Sequence, residues 1–437
     1  MAKLVYDDEG RLLFTEEMKK EYTILMPQML PVAFSMIKKC FELEGFTCEL
    51  LNTTHRAIVD TGLKYVHNDT CYPALLVIGQ LLEAVQSGKY DVHKIALIIT
   101  QTGGGCRASN YIHLLRKALK KAGLEFIPVI SLNLSGLESN PGFKLNLKLM
   151  MRLVYSLVYG DLIVNLANQC RPYDLAAGQT DAMVEKWQNE ILAQFAKKKG
   201  TSHKSYLKNM DDIVADFASL PLSEIKKVRV GVVGEIYVKY APLGNNNLEQ
   251  FLLDEGCEPV VPGVLDFILM KINNRATDVE LYGGHAIKRR LALVLQHYVE
   301  RRQQEMIDAI KKSGKFSPPG TFKQLYDGVS GYVGYGNKMG EGWLLPGEMI
   351  ELVHNGVSNI VCTQPFGCLP NHIVGKGMIR AIRERHPEAN IVAIDYDPGA
   401  TRINQENRIK LMLSNAKMPI RGEKKEQVKE PETAAAR

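Results

Sequence analysis

"IALIITQTGGGCRASN", residues 95–110, runs from an apolar stretch through Thr-Gln and three glycines to a cysteine. It is followed by "YIHLLRKALKKAG" (111–123), which has helical periodicity. A short run that is apolar throughout reads as a strand buried on both faces, and strand, glycine turn and helix in that order is the start of a parallel-sheet crossover. The grammar returns at "NIVCTQPFGCLPNH" (359–372), ahead of a second helical stretch. Between and around these two units lie further candidate strands: "YTILM" (22–26), "CELLN" (48–52), "FIPVIS" (126–131), "DLIVNLA" (161–167), "VRVGVVGEIYV" (228–238), "EPVVPG" (258–263) and "NIVAIDYD" (390–397). Leu75, Leu76, Ile78, Leu81, Leu82 and Val85 make one stripe of a helix over 73–87. Residues 175–225 and 261–312 lack strand signals and read as helical; "GVSGYVGYGNKMGEGWLLPGE" (328–348) reads as a glycine-rich loop.

The fold expected is therefore α/β, with two Rossmann-like parallel-sheet domains, a helical connection and a site in the cleft between them. The N-terminal domain would span 1–174, the connection 175–226 and the C-terminal domain 227–415. A disordered tail, poor in anything to bury, would follow at 416–437. A chain of 437 residues is long for one core, in line with two domains. The two cysteine units form a quasi-repeat, one per domain, although the remainder of the halves does not match.

Composition excludes several classes. An apolar fraction of 46% and a charged fraction of 23% are ordinary for a globular chain. No apolar run approaches the roughly 20 residues that span a bilayer, and "MAKLVYDDEGRL" has no signal-peptide core, so the expected location is the cytoplasm. The basic clusters at 196–204 and 311–315 are short and free of interleaved aromatics. With a net charge of +6 they read as solvated faces, not a nucleic-acid surface.

Eight cysteines in a cytoplasmic chain do not normally form structural disulfides. Cys40, Cys48 and Cys257 sit within helix or strand patterns and read as core thiols. Cys71, Cys106, Cys170 and Cys368 read as loop residues just past strand ends, where open α/β sheets bind ligands. Helix starts there would favour thiolate over thiol. Cys362 lies on its strand and fits a ligand or a core thiol equally. No Cys-x-x-Cys knuckle suggests zinc. Widely spaced single cysteines suit an iron–sulfur cluster gripped between two domains, with Cys71, Cys106, Cys170 and Cys368 as metal ligands. Glycines beside them, Gly103, Gly104, Gly105 and Gly367, would let the backbone approach the cluster; no lysine follows the triple glycine as in a phosphate-binding loop.

"EYTILMPQMLPVAFSMI", "YVHNDTCYPALLVIGQ", "IITQTGGGCRASNYI", "NQCRPYD", "VCTQPFGCLPNHIVGKG" and "IDYDPGATRINQENRIKLML" together resemble the activase-related, D-component-like branch of the 2-hydroxyacyl-CoA dehydratase superfamily. The resemblance covers about residues 20–415. It implies stacked α/β domains around a [4Fe–4S] cluster, held by Cys71, Cys106 and Cys368, and an electron supplied by an ATP-dependent activase. Cys170, in the branch's own "NQCRPYD" motif, becomes a fourth candidate ligand, and Cys362 a fifth if the cluster is of the larger double-cubane kind. The activase would be a separate protein, because the sequence has none of an activase's phosphate-binding motifs. No motif names an acyl-CoA substrate, and an oligomer remains open. Two rivals stand beside this reading: a cluster-free module docking an acyl-CoA or partner subunit, and a thiol redox sensor.

Other residues have paired readings. His67, Asn68, Asn371 and His372 could supply hydrogen bonds or cap helices. Arg107 and Arg171 could offset thiolate charge or pair with carboxylates. Asp395 and Asp397 fit turn capping better than acid–base work. Glu341 and Trp343 would lie in a turn or lid.

Overall fold

The computed structural model describes residues 2–101, 104–133 and 138–417. A two-stranded antiparallel ribbon, β1 (Val5–Tyr6) and β2 (Leu12–Leu13), opens the chain. The first main sheet contains β3 (Thr23–Pro27), β4 (Thr47–Leu51), β5 (Ile95–Thr100) and β6 (Val129–Leu132); the second contains β7 (Val228–Gly234), β8 (Cys257–Val260), β9 (Asn359–Pro365) and β10 (Asn390–Tyr396). Every pairing in both is parallel.

The strand orders are β4-β3-β5-β6 and β10-β9-β7-β8. Renumbered within each half, both read 2-1-3-4: the chain lays a first strand, adds one beside it, then crosses to the other side of the first. The halves thus share a topology that their sequences share only around the cysteines. Each sheet has a switch point where the winding reverses, between β3 and β5 and between β7 and β9. Loops at the carboxyl ends of strands flanking a switch point splay apart and leave a crevice. Both glycine–cysteine turns leave strands that flank these points, β5 and β9.

The sheets do not stand as independent cores. One buried cluster takes in Leu25, Leu97 and Val129 from the first sheet and Val230, Val232, Val361 and Ile394 from the second. Helices Gln179–Ala196 and His203–Ala218 occupy the expected helical connection, and Leu265–Tyr282 and Ala286–Ser313 the long helical region. The expected tail lies outside the described residues from 418 onward.

Three expectations are corrected. "DLIVNLA" (161–167) is the interior of a 24-residue helix, Leu147–Cys170. Seen alone the run is strand-like, but the apolar spacing begins at Leu149 and continues through Val158, Leu162, Ile163 and Leu166; Gly160 lies within the helix without ending it, and no proline occurs before Pro172. The stretch Leu147–Tyr173 is also long and apolar enough to cross a membrane by length and composition, contrary to the reading of the linear sequence; 56% of its most apolar window is buried within the protein, as in a core helix. In the glycine-rich region, "LLPGE" is not loop but the start of helix Leu344–His354.

Candidate functional site

Cys106 follows β5 and Gly104–Gly105, and occupies the N-cap position of a 3-10 turn, Arg107–Asn110, that leads into helix Tyr111–Lys121. Cys368 follows β9 and Gly367 and enters a helical turn, Asn371–Gly375. Cys71 is the N-cap residue of helix Tyr72–Gln86, with Pro73 in the first turn, where a missing N–H costs nothing. The Tyr72 N–H donates to the Phe366 carbonyl at 3.0 Å, which ties the Cys71 loop to the Cys368 loop. Gly367 has φ +73°, and a Cβ there would stand 3.2 Å from Cys71 Cα, so glycine is required on both counts. Gly105 is held differently: its Cβ position lies 2.5 Å from Met339 Sδ. Gly103 lies outside the described residues.

The three sulfurs have common surroundings. Cys71 Sγ lies 2.9 Å from Tyr111 Oη, and Cys368 Sγ accepts from Asn371 Nδ2 at 3.2 Å. A Cβ on Gly340 would stand 3.8 Å from Cys106 Sγ and 3.0 Å from Pro370, two residues past Cys368. Glu235 lies within electrostatic reach of all three sulfurs, and Glu341 within reach of Cys106 and Cys368. Glu235 leaves β7 after Gly234, whose φ is +145°, and its carboxylate accepts from Val238 N–H at 2.9 Å as a helix N-cap. Glu341 accepts from the Ile236 N–H at 3.0 Å, and Lys271 donates to the Gly340 carbonyl beside it. The glycine–cysteine turns after β5 and β9 and the Gly-Glu turn after β7 thus lie close to one another.

Burial dominates its electrostatics. It raises the Cys71 thiol to about 11 and raises those of Cys106 and Cys368 as well, with the two glutamates adding to the rise. This overturns the expectation that helix starts would favour thiolate: desolvation and two acidic neighbours outweigh the helix-end field. Burial likewise pushes the Glu235 carboxyl to about 8, with Glu341 the next cause, and raises Glu341. Near neutral pH the three thiols are therefore neutral and Glu235 keeps its proton. Burial lowers Lys271, only partly offset by Glu341 and Cys106.

Cys170 is elsewhere. It ends the long core helix, fully buried, and burial pushes its thiol to about 12; its charged neighbours are Lys315, Asp174, Arg171 and Glu258, none shared with the other three. It was expected in a loop past a strand, and it is displaced because its preceding strand is helix. Cys362 is buried among Val233, Met349, Ile360 and Ile382 on β9, with its thiol pushed to about 12. Cys40, Cys48 and Cys257 are buried core thiols as expected.

The paired readings also resolve. Arg107 donates to the Asp69 carbonyl and so braces the Cys71 loop; Arg171 pairs with Asp181 at 2.8 Å. Asn371 touches Cys368, His372 bonds Gln364, and exposed His67 accepts from the Asp69 N–H. Asp397 caps a turn through Gly399 and Ala400. Trp343 is no lid: it is fully buried against Phe322, Tyr326 and Tyr335, and donates to Asn274.

Among the described residues no three His, Cys, Asp or Glu side chains stand close enough for a single metal ion. A cluster makes a different demand, because each thiolate binds its own iron. Three thiols on separate loops, with hydroxyl and amide donors at two of the sulfurs, are a donor set whose chemistry fits a [4Fe–4S] cluster. The buried oxygens Asn371 Oδ1 and Gln364 Oε1 beside Cys368 have no hydrogen-bond partner. What fold and site define is a doubled parallel α/β protein with three thiols and two buried carboxyl groups grouped beyond the ends of β5, β7 and β9. The chain matches no protein-family model and no curated protein.

Proposed function

We propose that this chain is an iron–sulfur protein similar to a 2-hydroxyacyl-CoA dehydratase component, with Cys71, Cys106 and Cys368 as ligands and a separate ATP-dependent activase as electron donor. The observation that carries the reading is the meeting of three thiols from three loops around Glu235 and Glu341. When bound, a three-thiolate [4Fe–4S] cluster would supply a single low-potential electron and one iron open to a ligand. Asn371 N–H and Tyr111 O–H would steady the Cys368 and Cys71 sulfurs. Glu235, held neutral at pH 7 by burial, would keep a proton beside the thiols, so loading would expel thiol protons without a second negative charge at that carboxyl. Exposed Met339, Phe366, Leu369 and Ile373 adjoin Gly105, Gly367, Cys368 and Asn371, and give a partner an apolar collar on which to dock.

Iron and acid-labile sulfide, measured after anaerobic purification, test the reading. Stoichiometric iron and sulfide are expected. Near-zero iron would overturn it and leave a cluster-free module or a reversible thiol pair.

A further inference from the structure

A second site lies away from the thiols. A cavity of about 620 Å³ is enclosed by the second half of helix Leu147–Cys170, the end of edge strand β8 and the loop 317–320. That volume is within the range of small-molecule pockets. None of Cys71, Cys106, Cys368, Glu235 or Glu341 lines it.

Its charged lining is one-sided. Asp161, Glu249, Asp266 and Glu351 face it, as do Arg171 and Arg229. Both arginines have ion-pair partners outside the four: Arg171 pairs with Asp181 at 2.8 Å, and Arg229 with Glu258 at 3.1 Å. The nearest buried ammonium, Lys239, is held by Glu348 at 2.7 Å. The hydrogen-bond partners of the four carboxyl groups are all neutral, and the cations act on them only at longer range: Arg171 on Glu249, Arg229 on Glu351 and Lys239 on Asp161. Asp161 accepts from the Val264 and Leu265 N–H groups, Glu249 Oε2 from Asn168, Asp266 Oδ1 from Gln303, and Glu351 Oε1 from the Gly320 N–H and the Asn355 amide. Asp266 is only 7% exposed, and among the described residues nothing bonds its second oxygen. A buried carboxylate with a free oxygen is costly unless a cation or proton meets it. Val164, Leu265 and Met306 supply apolar wall between the acids.

We propose that this cavity binds an organic ammonium ligand, an amine carried on an apolar frame, with Asp266 as the principal counter-charge and Glu351 as its support. Burial raises Asp161 to about 6 and Asp266 to about 8, so at pH 7 Asp266 keeps a proton that an arriving ammonium would displace. The ligand would thus exchange one positive charge for another.

Isothermal titration of the full chain with hexylamine, hexan-1-ol and hexanoate tests this. Hexylamine should bind one to one, with proton release at pH 7 read from the buffer dependence of the heat. Asp266→Asn keeps the Gln303 hydrogen bond and should weaken binding about tenfold or more. Glu351→Gln should weaken it less. Absent hexylamine binding would overturn the proposal, as would equal binding of hexan-1-ol or tighter binding of hexanoate. Parent-like affinity in both carboxyl variants would also overturn it.

Discussion

Glu235 shows how one buried side chain sets a pH window. Burial raises its carboxyl from the ordinary 4.5 to about 8, so the folded protein prefers the neutral form. Its contribution to stability is full below pH 4.5 and is lost as pH rises through about 8. Iron-free protein should therefore lose unfolding free energy across that window, by at most about 1.4 kcal/mol per pH unit from this group. Glu235→Gln should flatten the curve measured by urea denaturation at pH 5, 6.5 and 8, and Asp266, raised to about 8, should retain part of the slope. An unchanged slope would mean that Glu235 ionises freely when folded. The cysteines separate by the same logic of surroundings. Replacing Cys71, Cys106 or Cys368 by serine should remove most of the iron. Replacing Cys40, Cys48, Cys257 or Cys170 should leave it near the parent level. Cys362→Ser decides whether any larger cluster is in play. Full iron retention in Cys106→Ser and Cys368→Ser would sink the shared pocket.

At the level of elements, the short helix Ile236–Tyr240 connects the pocket to the core. Glu235 caps its start, and Lys239 on its next turn reaches Glu348 of helix Leu344–His354; the two side chains are 4% and 1% exposed. Burial still raises the Glu348 carboxyl despite the adjoining ammonium, the sign of a pair whose desolvation rivals its attraction. Removing one partner strands the other charge. Glu348→Gln should destabilise the protein by about 3 kcal/mol in urea, and Lys239→Met with Glu348→Leu should recover most of it. Equal losses in single and double variants would show that shape, not charge, is at stake. The helix Leu147–Cys170 teaches a different lesson: its middle reads as a strand because a fully buried helix and a buried strand are both continuously apolar.

For the whole molecule, the proposed ligands are divided between the halves: Cys71 and Cys106 come with the first sheet and Cys368 with the second. A protein truncated to residues 1–226, or to 227–437, should therefore bind far less iron than the intact chain, even where the fragment stays folded by circular dichroism. The intact protein should hydrolyse no ATP by itself, and should be reduced only when ATP and the activase are both present. Reduction by an ordinary ferredoxin without ATP would recast it as a plain electron carrier, and robust ATP hydrolysis by the chain alone would mean that its glycine turns cradle phosphate.

Two parallel α/β layers were legible in the linear sequence because buried strands and glycine turns are local signals, and eight of the nine expected main strands are present. Cys71, Cys106 and Cys368 were legible for the same reason, each beginning a helix or helical turn. The strand–Gly–Glu turn at 234–235 follows that grammar too, but with a glutamate in the cysteine's place it carries no metal-ligand signal in the linear sequence. Only the tertiary structure decided which cysteines meet, since Cys170 shares the loop vocabulary of the others yet ends a core helix. It also decided their protonation, because desolvation depends on what packs around a thiol and not on its neighbours in sequence. The common 2-1-3-4 winding and the acidic cavity beside β8 belong to the tertiary level as well: both arise from residues far apart in the chain, for which no local pattern exists.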